Sequence, residues 1–266
     1  MSTIIYSFTG TGNSLAIART IAGALGDAEI VPIPPLLRGT GEIVPAGDTV
    51  GVVSPIYFLG LPSIVAEFAR RLVVGRPVYT FAVLTLGGRR GGTALRQLDD
   101  ILRGRSERGL DAGWAVQMPG NYLPGFGPPA PVKQAAIQAA GDEAARAIAG
   151  AIRERKRVPP GIAPVFGLIH RLVYPRSIAS VHDRDRIFTV DPSCNSCGTC
   201  VNVCPVRNIS LVEGLPRWQH RCEFCLACAH FCTQHAIQLG RRTAKMARYH
   251  HPAVNVTDMR DQQGPA

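Results

Sequence analysis

All eight cysteines of the 266-residue chain fall between Cys194 and Cys232, and the 193 residues before them contain none. They form two copies of one spacing. Cys194, Cys197, Cys200 and Cys204 read C-x2-C-x2-C-x3-C, followed by Pro205. Cys222, Cys225, Cys228 and Cys232 repeat the pattern 28 residues later, followed by Thr233. The repeat runs past the sulfurs, since Ile209-Ser-Leu211 matches Ile237-Gln-Leu239. Three cysteines set two residues apart wrap a tight turn that aims three thiolates at one face of an iron–sulfur cubane, leaving one iron to a fourth ligand from elsewhere. Zinc also takes four thiolates, but its sites favour paired C-x2-C knuckles separated by a loop. A disulfide framework fits less well still, because nothing in the sequence points to an oxidising compartment.

The spacing resembles that of the bacterial two-cluster ferredoxins. In that arrangement the fourth cysteine of each run crosses to the other cluster. The resemblance therefore implies two [4Fe–4S] clusters, cluster I on Cys194, Cys197, Cys200 and Cys232, and cluster II on Cys222, Cys225, Cys228 and Cys204. Thr233 stands where that family usually has proline, a residue that bends the chain and ligates nothing.

A second constellation opens the chain. Thr3 to Phe8 is a short apolar run with β-branched residues, a strand pattern that leads straight into Thr9-Gly10-Thr11-Gly12-Asn13-Ser14. Leu15, Ile17, Ala18, Ile21, Ala22 and Leu25 then recur at helical spacing until Gly26. A glycine-rich loop between a strand and a helix N-terminus is a phosphate cradle: its backbone closes in, its amides point inward, and the helix dipole favours negative charge. The hydroxyls of Ser7, Thr9, Thr11 and Ser14 and the Asn13 amide add neutral donors. The loop has no lysine, which excludes a Walker-type phosphate loop, and the dinucleotide fingerprint G-x-G-x-x-G is absent. The pattern resembles the FMN phosphate loop of flavodoxins.

Two further strand patterns end in loops of matching character. Thr49 to Ser54 runs into Pro55, Ile56, Tyr57, Phe58, Leu59 and Gly60, and Val78 to Leu86 ends in Thr85, Leu86, Gly87 and Gly88. In flavodoxin-like proteins the loops at these strand ends flank the isoalloxazine ring. The resemblance implies that Tyr57 and Phe58 offer it flat apolar surface while Gly87 and Gly88 bring backbone amides close. Trp114 to Met118 reads as another strand, followed by Pro119-Gly-Asn-Tyr122 and a proline-rich stretch. Tyr57 and Tyr122 are the candidates for orienting a substrate or donating a proton beside the flavin. No Ser-His-Asp set, carboxylate pair or nicotinamide fingerprint accompanies them. The alanine-rich run from Val132 to Arg157 reads as a closing helix.

The elements that must position these groups are thus an α/β unit, a flavodoxin-like doubly wound parallel five-stranded sheet, followed by a small α+β two-cluster ferredoxin domain. The expected boundaries are 1–158 for the flavodoxin-like domain, 159–186 for a linker, 187–242 for the ferredoxin domain and 243–266 for a C-terminal tail. Val165 to Tyr174 is apolar enough to pack at the junction, and the basic tail is expected to be solvated or docked on the flavodoxin-like unit. The whole-chain order, SFTGTGNS, PIYFLGLP, MPGNY and then two cluster motifs, resembles the flavodoxin–ferredoxin fusion family called EFR1-type ferredoxins. That resemblance implies electron transfer between FMN and two clusters.

The formal charge of +10, carried mostly by arginine, first suggests nucleic acid or a membrane surface. Eight thiolates and two cluster cores of about +2 each bring it to about +6, and a flavin phosphate to about +4. A mildly basic holoprotein suits redox partner proteins such as acidic ferredoxins or reductases, with a small-molecule substrate at the flavin as the alternative. Neither nucleic acid nor membrane-surface contact is expected, and the sequence leaves the oligomeric state open. The first residues, MSTIIYSFTG, lack the basic and apolar regions of a secretory signal, so a cytoplasmic location is expected. Anaerobically purified protein should be brown and carry about eight irons per chain by metal analysis. A colourless protein holding stoichiometric zinc would overturn the cluster assignment.

Overall fold

The structure is a computed structural model that describes residues 2–75, 77–88, 91–106, 108–161 and 164–265. Strands and helices alternate through the first half: β1 Thr3–Ser7, α1 Asn13–Leu25, β2 Ala28–Pro32, α2 Ile33–Leu36, β3 Thr49–Pro55, α3 Ser63–Arg71, β4 Tyr79–Leu86, α4 Gly92–Ser106, β5 Ala112–Gln117 and α5 Pro131–Arg153. All five strands pair in parallel, in the order β2-β1-β3-β4-β5. This is the flavodoxin-like doubly wound order, which places a ligand crevice at the carboxyl ends of β1 and β3, where the winding reverses.

The sheet is buried on both faces, so its strands read as continuous apolar runs rather than alternating ones. Val50, Val52, Ala82 and Leu84 face α3 and α4, with Val65, Phe68, Leu95 and Leu98 packed over them. Ile5, Val53, Phe81 and Val83 face α1 and α5, against Ile17, Ile21, Ile148 and Ile152. The edge strand β2 was not legible as a strand. AEIVP is short and only half-buried, because it pairs on one side with β1 and faces solvent on the other.

The segment expected as a linker contains α6 Pro164–Ala179 and leads into a 3-10 turn, His182–Ile187. Within the apolar run Val165 to Tyr174, side chains are described from residue 167 onward. Tyr174 is buried and donates from its hydroxyl to Leu61 O at 2.7 Å, whereas Leu168 and Leu172 are exposed. No helix among the described residues is long and apolar enough to cross a membrane.

The cysteine-rich part follows as β6 Thr189–Val190, α7 Thr199–Asn202, β7 Ile209–Val212, β8 Leu215–Trp218, α8 Ala227–His230 and β9 Ile237–Gln238. β6 pairs antiparallel with β9, and β7 with β8. The 28-residue sequence repeat is also a backbone repeat. Ser196, Gly198 and Arg207 have positive φ, and so do Phe224, Leu226 and His235. The tail ends in α9 Val256–Asp261, capped at both backbone and side chain by Asn255 and Asp258.

Gly51 sits mid-sheet in β3 directly under the Phe81 ring, and a Cβ there would come within 2.1 Å of Phe81 Cζ. Gly51→Ala should therefore overpack the core and cost about 1–3 kcal/mol, read as a lower urea midpoint with an unchanged slope.

Candidate functional site

The loops at the carboxyl ends of the strands enclose a cavity of about 600 Å³. Its walls are Thr9–Thr11 and Asn13–Ser14 after β1, Pro55–Leu59 after β3, Thr85–Gly88 after β4, and Pro119–Tyr122 with Phe126 after β5. The remaining wall comes from the cysteine-rich part, as Phe224, Cys225 and Leu226. Of the residues singled out in the sequence, Ser7, Gly12 and Gly60 stand behind the lining. Ser7 is buried with its hydroxyl unpartnered, Gly12 is the left-handed residue ahead of α1, and Gly60 closes a turn with Tyr57. Pro119, Gly120 and Asn121 of the MPGNY motif, and Phe126, join the wall although no site role was expected of them.

The loop after β1 is held open by its neighbours. Gly12 N–H donates to Thr9 Oγ1 at 3.0 Å, the Ser14 and Thr85 hydroxyls share a hydrogen bond of 2.8 Å, and Asn121 Nδ2 donates to Thr11 Oγ1. Among the described residues nothing engages the N–H groups of Gly10, Thr11, Asn13 or Ser14. Free inward amides at a helix N-terminus favour an anion. No lining residue among those described carries a formal charge apart from the Cys225 thiol when ionised, so the described donors toward an anion there are neutral.

The aromatic side of the cavity is built under strain. Phe58 and Leu59 both have left-handed backbones, with φ of 51° and 68°, conformations uncommon outside glycine and held only where surrounding contacts impose them. Phe58 stacks on Phe224 with ring centroids 6.3 Å apart, and Tyr122 meets both edge-on. Tyr57 lies with its hydroxyl against Gly10. Burial, and then the nearby Cys225 and Glu223, raise its phenol well above the ordinary value.

The eight cysteines are all unpaired and separate into two groups. Cys194, Cys197, Cys200 and Cys232 line one small cavity, and Cys204, Cys222, Cys225 and Cys228 line another. Each group thus contains the last cysteine of the other run. Burial pushes Cys200 up to about 11 and Cys225 up to about 12, and raises Cys204, Cys222 and Cys228 as well. Buried thiols of this kind ionise only where a cationic core supplies the missing charge. Backbone amides already face the sulfurs at equivalent repeat positions, Asn208 N–H to Cys204 Sγ at 3.2 Å and Ala236 N–H to Cys232 Sγ at 3.3 Å.

A carboxylate joins this region to the sheet. α3 has no cap of its own, since Pro62 precedes it. Glu223, between two cysteines, accepts from Ser63 Oγ at 2.6 Å and Ile64 N–H at 3.2 Å. It is 4% exposed. Nothing in the sequence marks this contact, because the two partners lie 160 positions apart and neither belongs to a motif. The same is true of Phe224 and Leu226, which occupy spacer positions of the second cysteine run.

A family model for a 4Fe-4S binding domain matches residues 188–210, which hold the first cysteine run. No curated protein matches the chain. Among solved structures, an azoreductase from Bacillus anthracis is similar at 13% identity, covering 56% of this chain and 99% of its own, with a TM-score of 0.37. An FMN-dependent NADH-azoreductase from the same species, solved with FMN, is 11% identical over 57% and 99%, at 0.36. Smu.1420 from Streptococcus mutans is 9% identical over 55% and 100%, at 0.39. The strand order and parallel register, rather than these scores, identify the flavodoxin-like arrangement.

Glu223→Ala should lower stability by about 1–3 kcal/mol, because it leaves the α3 amide without its acceptor. Glu223→Gln keeps one acceptor and should cost less. The comparison is read from urea unfolding of the purified holoprotein, and equal midpoints for wild type and Glu223→Ala would refute the capping role.

Proposed function

We propose that this chain is an iron–sulfur flavoprotein of the EFR1-type fusion kind, an electron carrier between redox proteins, with two [4Fe–4S] clusters in residues 187–242 and one FMN in the flavodoxin-like part, 1–158. The observation that carries the reading is Cys225, which belongs at once to the second cysteine group and to the wall of the cavity at the sheet edge. When bound, the clusters exchange one electron each and the flavin one or two, so the combination couples one-electron to two-electron carriers.

The chain's own residues fit these roles. Cys194, Cys197, Cys200 and Cys232 would hold cluster I, and Cys204, Cys222, Cys225 and Cys228 cluster II. The free amides from Gly10 to Ser14 would receive the flavin phosphate, with hydroxyls of Thr9, Thr11 and Ser14 nearby. Pro55–Leu59 and Thr85–Gly88 would flank the ring. Phe224, Cys225 and Leu226 close the cavity against water on the side that faces the second cysteine group. Burial, with Cys225 and Glu223 nearby, raises the Tyr57 phenol, so it keeps its proton and can donate a hydrogen bond into the cavity. Eight free cysteines also agree with a reducing, cytoplasmic setting.

A second reading, a reductase of a small substrate at the flavin, draws on Tyr122 and Phe126, which add aromatic wall beyond the loops that flank the ring. Anaerobic titration of the purified protein with a low-potential reductant tests the proposal. Uptake of about four electrons per chain is expected, two at the flavin and one at each cluster, with iron, sulfide and flavin analysed in the same sample. Uptake of only two electrons, with either flavin or iron missing, would defeat it. Reoxidation by a small acceptor at catalytic rates, but not by a ferredoxin, would favour the reductase.

A further inference from the structure

The C-terminal tail does more than rest on the sheet domain. Gln262, 5% exposed, uses one side-chain amide to pair both backbone groups of Thr9: Thr9 N–H donates to Gln262 Oε1 at 2.7 Å, and Gln262 Nε2 donates to Thr9 O at 3.0 Å. His251 N–H donates to Thr11 O at 2.8 Å. Tyr249 donates from its hydroxyl to Asn13 Oδ1 at 2.7 Å. Val254 and His251 press on Gly12, where a Cβ would come within 2.8 Å of Val254 Cβ. Tyr249, His251, Val254 and Gln262 of the tail thus grip the loop after β1, while among the described residues nothing engages the N–H groups of Gly10, Thr11, Asn13 and Ser14.

The same segment reaches the cysteine-rich part. Gln263 Nε2 donates to Val201 O and Asn202 O on α7, at 2.9 and 2.7 Å. Val254 and Met259 are buried among Ala16 of α1, Val203, and Ala227 and Phe231 at α8. Asp258 of α9 pairs with Arg19 of α1 at 2.5 Å. A loop containing two glycines has many backbone states to lose when it wraps an anion, so contacts that fix it beforehand raise affinity without touching the ligand.

We infer that residues 249–263 form a strap that pre-organises the loop from Thr9 to Ser14 for the phosphate monoester of the flavin, with Gln262 as its positioning residue. The strap thereby sets the preference for phosphorylated over unphosphorylated flavin. This rests on the FMN reading above. Gln262 touches neither the phosphate position nor the cysteines and acts only through the Thr9 peptide.

The test uses full-length protein freed of flavin with its iron retained, titrated with FMN and with riboflavin. In wild type FMN should bind more tightly than riboflavin. In Gln262→Ala the FMN Kd should rise at least about tenfold while the riboflavin Kd changes less than about twofold, with iron content unaltered. Gln262→Glu keeps the acceptor for Thr9 N–H but loses the donor to Thr9 O and adds a negative charge, so it should weaken FMN at least as much. Amide hydrogen exchange, which needs no flavin, should show Thr9 protected in wild type and faster in Gln262→Ala. An FMN Kd within twofold of wild type, FMN and riboflavin weakened equally, or unchanged Thr9 exchange would each overturn the strap while leaving the FMN reading intact. Wild-type protein that binds no flavin, or binds riboflavin as well as FMN, would overturn the FMN reading itself and the phosphate preference with it.

Discussion

The seam at Gly10 governs the rest of the molecule. The Tyr57 hydroxyl and the Cys225 carbonyl and Cβ all crowd the place a side chain would take there, so closely that a Cβ would lie 2.6 Å from the Tyr57 hydroxyl oxygen and 2.8 Å from the Cys225 carbonyl oxygen. Only a bare backbone lets the loop after β1, the loop after β3 and the second cysteine run meet at one point. That meeting turns an open crevice at a sheet edge into a cavity with Cys225 in its wall. Widening the seam by one methyl group would part the two halves where the proposed electron exchange needs them closest.

Several polar ties hold the seam shut, and each satisfies groups that burial would otherwise leave costly. Glu223 caps α3 from the cysteine-rich side. Asp185, in the 3-10 turn after α6, accepts from Asn208 Nδ2 at 2.8 Å and from His220 N–H at 3.0 Å, fixing the connecting segment to the hairpin side of the cysteine-rich part. His230, between the last two cysteines, accepts from Tyr249 N–H at Nδ1 and meets Asn121 O at Nε2, so one imidazole joins the tail to the loop after β5. The tail closes the ring of contacts through Gln262 and Gln263. These ties originate in three parts of the chain, the 3-10 turn after α6, the second cysteine run and the tail, and the last two reach across to the sheet domain.

The two thiol groups are not equivalent in their surroundings. Cys197 is exposed and Cys194 half-buried, while Cys222 and Cys228 are buried and Cys225, half-buried, lines the cavity. On the proposed reading the first group is the one that an outside redox protein can approach, and the second is the one that faces the flavin. The backbone repeat explains how similar sequences give similar turns. The unequal burial comes from what packs on each copy: solvent on the first, and the sheet domain with its aromatic loop on the second.

The amino-acid sequence by itself determined the cysteine spacing, the glycine-rich turn between β1 and α1, and the apolar runs of β1, β3 and β4, because each rests on interactions within a few residues or on burial of one continuous segment. It left the edge strand β2 unmarked, since a half-buried strand has no such run, and it did not mark the helix α6 within the linker segment. The tertiary structure alone decided that Phe224 and Leu226 would be cavity wall, that Glu223 would cap a helix 160 positions away, and that Gln262 would pair with Thr9. Those contacts join segments with no local reason to meet. Their partners become visible only once the sheet domain and the cysteine-rich part are packed against each other.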